Sequence, residues 1–144
     1  MKLSHLRGRK INDYLMRKGT VWKGKTMMIR WLRGAPRLRQ GSGGQARRLN
    51  VDPAKRALYV GTVASTKLHK SAVKRNRMRR RCREALRTLV QNRTDIPTTQ
   101  LLISPRIASL DSPFELIEAD IQTFLSALTS WPNPKARHHA SPTI

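Results

Sequence analysis

Acidic residues and cysteine are scarce in this chain of 144 residues. It has eight Asp and Glu against thirty Lys and Arg, and a net charge of +22. A protein active site needs converging acid, base or nucleophilic groups, and a metal site needs clustered ligands, but the few candidates here are mostly scattered. The single cysteine, Cys82, excludes an internal disulfide framework and is typical of a reducing compartment. We therefore expect a cytoplasmic protein that carries no bond-breaking chemistry of its own.

Aromatic residues and long apolar runs are also few. The chain has three Trp, two Tyr and two Phe. No run approaches the roughly 18 apolar residues of a membrane span, and the N-terminus lacks the apolar core of a signal peptide. At 38% hydrophobic residues, the chain suits one small domain with a modest core. We predict a single domain over 1–130 and a disordered, proline-containing tail over 131–144.

The positive charge is unevenly distributed. Residues 1–110 hold 28 of the 30 basic residues and only four acids, and the other four acids lie within 111–120. Charge of this size repels itself and destabilises the compact state unless a polyanion is bound. Nucleic acid is the favoured partner. A membrane surface is a weaker choice, because no helix combines a broad apolar face with a purely basic one.

The densest basic segment, residues 70–87, has nine Lys or Arg and one acid. On a helix, Met78, Cys82 and Leu86 share one face, opposite Asn76 and Arg80. The apolar stripe anchors the helix in a core, and the guanidinium groups then project at fixed positions that suit phosphate. An ordinary solvated helix face is the alternative, which the near absence of acids in the segment disfavours.

The pattern along the chain predicts an α+β fold. We expect helices over 6–18, 71–91 and 113–130, and strands over 20–23, 25–32, 58–65 and 100–104. Residues 33–56 are rich in Gly, Pro and Arg, and predict a flexible basic loop. One antiparallel-rich sheet with helices on one face is the simplest architecture for this order.

RNA is favoured over DNA as the partner. The chain lacks a helix-turn-helix pattern, zinc-finger spacing and a leucine zipper. Its basic helix has few Asn or Gln to read base edges, which suits recognition of RNA by backbone and shape. On these grounds alone, a structural RNA-binding protein such as a ribosomal or assembly factor is a candidate, and a DNA-binding regulator is a weaker one.

The segment from Val73 to Glu84 resembles the Arg-Asn-Arg signature of the bacterial ribonuclease P protein component. In that family an Ala-Val pair precedes Arg-Asn-Arg, as Ala72 and Val73 do here, and a basic helix with an apolar stripe follows. Residues 17–20, 60–67, 101–106 and 113–128 resemble other parts of the family in the same order. The similarity covers about 6–128, interrupted by the loop at 33–56.

This resemblance implies a two-layer sandwich with a small mixed, mainly antiparallel sheet. The Arg-Asn-Arg helix would lie in a left-handed β-α-β crossover, against the usual right-handed rule. The implied function is the protein subunit of a ribonucleoprotein endonuclease. Its partners would be a catalytic RNA and precursor tRNA, and Mg²⁺, bound mainly by the RNA, would assist removal of the 5′ leader.

The resemblance also implies two sets of site residues. The basic helix and the turn before it would bind the catalytic RNA through Lys70, Lys74, Arg75, Asn76, Arg77, Arg79, Arg80, Arg83 and Arg87. A cleft between the first helix and the sheet would hold the leader near Asn12, Tyr14, Met16, Arg30 and Lys67. The family usually has aromatic residues at the positions of Asn12 and Met16. Tyr14 either replaces them or packs in the core beside Ile11 and Leu15.

Overall fold

The computed structural model describes residues 1–6, 8–36 and 57–130. The strands are β1 (Lys2–His5), β2 (Thr20–Lys23), β3 (Met27–Arg33), β4 (Ala57–Thr62) and β5 (Thr99–Pro105). The helices are α1 (Arg9–Lys18), α2 (Ala72–Val90), α3 (Ala108–Asp111) and α4 (Phe114–Ser130). Every predicted helix and strand is present within a few residues of its expected bounds, while β1 and α3 were not predicted.

The five strands form one mixed sheet in the order β1-β4-β5-β3-β2. Strand β4 runs parallel to both β1 and β5, whereas β3 runs antiparallel to β5 and to β2. The expected mixed sheet is confirmed, but its pairings divide evenly instead of being mainly antiparallel. The second parallel pairing comes from β1, a short edge strand that was not predicted. Its Lys-Leu-Ser-His sequence carries little strand signal, and the strand forms by pairing with β4.

Helix α2 connects β4 to β5, which are parallel neighbours in the sheet. The β-α-β unit carrying the Arg-Asn-Arg segment is therefore present as predicted. Its left-handed crossover stays a prediction.

The main core lies between the sheet and the pair of helices α2 and α4. Alternate residues of the strands point into it, including Ile29, Leu58 and Ile103, because successive strand residues face opposite sides. Helix α4 contributes its apolar stripe, which includes the fully buried Ile121 and the almost fully buried Phe124. The acidic segment 111–120 is tied to the sheet, since Asp120 accepts hydrogen bonds from the backbone N–H and the hydroxyl of Thr26, just before β3.

Helix α1 covers the opposite face of the sheet. Its Ile11 and Leu15 pack in a second cluster with Tyr59 and Leu102. Helices therefore lie on both faces and form three layers, and the prediction of two layers with helices on one face was wrong. The reason is visible in β4, which is buried at every position from Ala57 to Gly61, because a strand that is apolar on both sides needs cover on both.

Some predictions concern residues that the structure does not describe. Of the predicted loop at 33–56, only 33–36 lie among the described residues, and the predicted tail at 131–144 lies outside them. In the described ranges, no helix is both long enough and apolar enough to traverse a bilayer.

Candidate nucleic-acid interface

Helix α2 is anchored by the apolar stripe that its sequence predicts. Met78, Cys82, Ala85 and Leu86 are fully buried, and the Ser71 hydroxyl caps the helix by accepting from the Lys74 N–H at 3.3 Å. Burial raises the pKa of the Cys82 thiol to about 12. This thiol stays protonated and neutral at physiological pH, so Cys82 is a core residue, as expected.

Helix α2 carries three exposed cations that have no protein partner in the described ranges. Lys74, Arg77 and Arg80 are exposed and form no hydrogen bond or ion pair with another described residue. Each keeps its full complement of N–H donors for an external acceptor. These three residues, together with the exposed Lys70 in the preceding turn, are the predicted RNA-binding cations most available to phosphate.

Arg75 has a second role in the turn that precedes α2. Its guanidinium donates to the carbonyl oxygens of His69 and Lys70, at 2.8 and 2.9 Å. His69 in turn accepts from the Ser71 N–H through Nδ1 at 2.9 Å. Arg75 thereby fixes the turn that presents the exposed Lys70, and one of its nitrogens is already committed to the protein.

Arg79 and Arg83 are held in place by groups other than carboxylates. Arg79 donates to Asn76 Oδ1 at 2.8 Å and to the Ala64 carbonyl at 3.1 Å. Nη2 of Arg83 lies 3.0 Å from Nδ1 of His5, at the end of β1. Because no carboxylate takes part in these contacts, both guanidinium groups keep an uncompensated positive charge while losing conformational freedom.

Arg87 differs, because it is neutralised on its own helix. It forms an exposed ion pair with Glu84 at 2.6 Å, and this contact holds the pKa of the Glu84 carboxyl below its usual range. An exposed pair of this kind adds little to stability and opens readily. All nine predicted residues thus lie on α2 and its preceding turn, although their availability to RNA is unequal.

Arg81 was not among the predicted RNA-binding residues, and it serves the fold. It donates to the carbonyl oxygens of Ser109 and Leu110, both at 2.8 Å, and of Ser112 at 2.5 Å. These carbonyls lie in and just after α3, so Arg81 ties α2 to the start of α4. The sequence shows only a run of arginines and does not distinguish this one.

The predicted leader-binding residues are distributed around α1 and the sheet face beneath it. Asn12 is half-buried beside Gly61, where a Cβ would stand 3.5 Å from Asn12 Oδ1. This oxygen is buried and has no hydrogen-bond donor among the described residues. The tightest contact of such a Cβ would be with Leu102 Cδ1, at 3.2 Å, on the neighbouring strand β5.

The exposed side chains of α1 fall on two flanks. Met16 is 47% exposed and lies on the same flank as Asn12, four residues earlier. Tyr14 is 48% exposed, so it is not the core residue that the alternative reading required. At about 100° per residue, Tyr14 projects roughly 160° away from Asn12. The helix therefore does not bring Tyr14 together with Asn12 and Met16.

The remaining two leader-binding residues come from the sheet side. The strand register places Gly61, Leu102 and Arg30 in one row across β4, β5 and β3, so Arg30 shares the row over which Asn12 lies. Lys67 is exposed in the turn after β4. Asn12, Met16 and Arg30 form the most coherent part of the predicted cleft.

In 1–6, 8–36 and 57–130, no three His, Cys, Asp or Glu side chains lie close enough together to hold a metal ion.

Comparison with known proteins links this fold to one family. The family model for Ribonuclease P matches residues 1–129. The ribonuclease P protein component of Thermus scotoductus is 45% identical over 82 residues, which are 56% of this chain and 46% of that protein. The match therefore spans about half the length of that curated relative.

Solved structures show the same fold at low sequence identity. The RNase P protein of Staphylococcus aureus has a TM-score of 0.59 and 15% identity, covering 85% of this chain and 92% of that one. The RNase P protein of Thermotoga maritima has a TM-score of 0.59 and 17% identity, covering 85% of this chain and 94% of that one. Both support the α+β architecture that the sequence predicts.

Proposed function

Because the chain belongs to the ribonuclease P protein family, we propose that it is the protein subunit of a ribonucleoprotein endonuclease that processes tRNA. In this proposal it binds a catalytic RNA through α2 and the 5′ leader of precursor tRNA through the cleft beside α1. The RNA subunit carries out Mg²⁺-dependent removal of the leader. The single cysteine, typical of a reducing compartment, supports a cytoplasmic location.

The observation that carries the proposal is the unequal use of cations on α2. Arg75, Arg79 and Arg81 are tied to backbone carbonyls, whereas Lys74 and Arg80 have no partner among the described residues. A free cation beside a phosphate releases condensed counterions from the RNA, which drives association. The helix thus presents free charge on a rigid support, which suits a folded RNA surface.

The described residues do not fit a Mg²⁺ site built by the protein. Mg²⁺ prefers carboxylate and phosphate oxygens in octahedral geometry, and no group of three candidate ligands is present in the described ranges. We therefore assign the metal to RNA phosphates. The protein would act by neutralising phosphates near that site and by holding the substrate.

Substrate holding is assigned to the flank of α1 that carries Asn12 and Met16. Arg30 is half-buried in the sheet row that lies beneath Asn12, and its guanidinium can pair with a leader phosphate. Lys67 lies in the exposed turn after β4. Tyr14 faces a different direction. The cleft therefore offers hydrogen bonding and thioether packing where the family usually has aromatic side chains.

The proposal is tested by cleavage of precursor tRNA by the cognate catalytic RNA at limiting Mg²⁺. Adding the purified protein should restore release of the leader at a Mg²⁺ concentration where the RNA alone is inactive. A protein that binds the RNA but does not lower its Mg²⁺ requirement would contradict the assignment and favour a structural RNA-binding role.

Substitutions on the two flanks of α1 test the leader-binding cleft. In the reconstituted holoenzyme, we expect Met16→Ala to weaken binding of precursor tRNA and leave binding of mature tRNA unchanged. Tyr14→Ala is the matched control, because it removes an equally exposed side chain from the other flank. Selective loss with Tyr14→Ala instead would move the leader to that flank, where a base–aromatic contact is worth about 1–3 kcal/mol.

A further inference from the structure

A groove of about 550 Å³ runs along the outer flank of α2, beside the end of β4. Its lining combines three kinds of side chain, which are the apolar Val73, the uncharged polar Thr62 and Asn76, and the arginines Arg79, Arg80 and Arg83. A volume of this size is typical of small-ligand sites. The groove is therefore large enough for one nucleotide.

Val73 is the unusual member of this lining. Its side chain is 74% exposed, the highest value among the exposed large apolar residues of the described ranges. A site that recognises phosphate alone gains nothing from an apolar wall, because the hydrophobic contribution requires an apolar surface on the ligand. Val73 thus indicates a ligand with an apolar face in addition to its charge.

The polar part of the groove is preorganised for an anion. Arg79 is fixed by Asn76 Oδ1 and by the Ala64 carbonyl, and its buried Nε has no hydrogen-bond partner in the part of the chain that the structure describes. Because Asn76 Oδ1 accepts from Arg79, the amide N–H groups of Asn76 are left to donate. Arg80 has no partner among the described residues, and Arg83 is steadied by His5.

The helical spacing places these groups in a definite order. Val73, Asn76, Arg80 and Arg83 recur every three or four residues and form one stripe about 15 Å long, with its apolar end at the helix N-terminus. An apolar contact, a hydrogen-bonding group and a pair of cations therefore follow one another. A nucleotide carries matching groups in the same order, namely the apolar face of the base, its hydrogen-bonding edge and the phosphate.

We propose that this groove binds one unpaired ribonucleotide of the partner RNA, with its base against Val73 and its phosphate at Arg80 and Arg83. The inference rests on the proposed function and narrows it to a single-stranded feature of the RNA. In a paired A-form segment the bases are stacked inside the helix, so a duplex would engage the arginines and leave Val73 exposed.

The free protein can be tested first with small probes. Adenosine 5′-monophosphate should shift the methyl NMR signals of Val73 and Thr62 together with the side-chain signals of Arg80 and Arg83. Inorganic phosphate should shift the arginine signals alone. If the two probes move the same signals, or if the nucleotide leaves the Val73 methyls unmoved, the groove is a charge site and the inference is overturned.

Binding to the cognate catalytic RNA provides the second test. Val73→Ala should weaken binding about three- to tenfold without changing its salt dependence, because no charge is lost. Leu116→Ala, which truncates a 51%-exposed apolar side chain on α4, should leave binding unchanged. Both substitutions lie at exposed sites, and melting curves verify that both variants remain folded.

The outcomes separate this inference from the proposed function. If the unaltered protein binds the catalytic RNA and Val73→Ala binds equally well, the nucleotide site is wrong and the proposed function stands. If the unaltered protein does not bind that RNA, the proposed function itself fails, whatever the small probes show.

Discussion

The two sides of α2 use the same residue type in opposite ways. On the side towards α3 and α4, Arg81 satisfies three backbone carbonyls. On the outer side, its neighbour Arg80 is exposed and has no partner among the described residues. Of two adjacent arginines of equal charge, one is therefore bound to the fold and the other is free. The difference teaches that local partners, and not charge density, identify which cations of a basic helix are free for RNA.

The largest expected effect comes from removing Arg81, on the side of α2 that faces α3 and α4. Arg81→Ala leaves three carbonyls without their charged donor, and we expect the free energy of unfolding to fall by about 2–4 kcal/mol. Urea unfolding followed by circular dichroism measures the loss. Arg80→Ala is the matched control and should unfold at nearly the same urea concentration as the unaltered protein. Equal stability of the two variants would remove the distinction between the two sides.

The next expected effect concerns the outer side. Replacing Lys74, Arg77 and Arg80 together by Ala removes three potential phosphate contacts. The slope of log affinity for the catalytic RNA against log salt should then flatten by about two to three units, since each contact releases roughly 0.7–0.9 counterions. Binding is measured over a range of salt concentrations.

Replacement of Lys10, Arg17 and Lys18 on α1 by Ala removes the same charge and serves as the control. This variant should change the slope less, because it alters only the overall field of the protein. If both triple variants flatten the slope equally, α2 is not the principal contact with the RNA.

The smallest expected effect comes from a substitution at Cys82, which lies in the buried stripe of α2. Cys82→Ser places a hydroxyl in the apolar stripe, and we expect a loss of about 1–2 kcal/mol, moderated by the nearby buried Ser109 as a hydrogen-bond partner. Urea unfolding measures this loss, while RNA affinity of the folded variant should be unchanged. Lower RNA affinity at normal stability would show that the Cys82 thiol contributes to RNA binding.

The same residue has a chemical signature that reports its burial. Because the pKa of the Cys82 thiol is raised to about 12, native protein at pH 8 should resist alkylation by iodoacetamide, and unfolded protein should react readily. The raised pKa also determines how the stability of the protein depends on pH. The contribution of the buried neutral thiol to stability is present below about pH 9 and is lost as the pH rises towards 12.

The parts of the fold that were predicted correctly have strong local signals. The stripe of Met78, Cys82 and Leu86 repeats at helical spacing and is fully buried. Strand β4 was found because it combines the apolar Leu58 and Tyr59 with the β-branched Val60 and Thr62. In contrast, β1 has only four residues and exists through its pairing with β4, a partner more than 50 positions away that local patterning does not reveal.

The candidate site divides in the same way. Residue type and helical spacing selected the basic helix as the phosphate-binding element, and the resemblance to the ribonuclease P family then implied the nine RNA-binding candidates on α2 and its preceding turn. Neither source showed that Arg75 would fasten the preceding turn, or that Tyr14 would be exposed instead of packed in the core. These outcomes depend on which backbone carbonyls and strands come within reach of each side chain.

The sequence alone therefore determined the basic character of this protein, through its composition, the apolar anchor of its principal helix, through its periodicity, and the resemblance to one family, through the order of the residues around Arg-Asn-Arg. These properties follow from residue type and spacing, which act over a few turns of the chain. Tertiary structure decided that helices cover both faces of the sheet, that Arg81 serves the fold while Arg80 is free, and that Val73 meets three arginines in one groove. Such features require distant segments to meet, because a hydrogen bond or a buried contact acts only over a few ångströms.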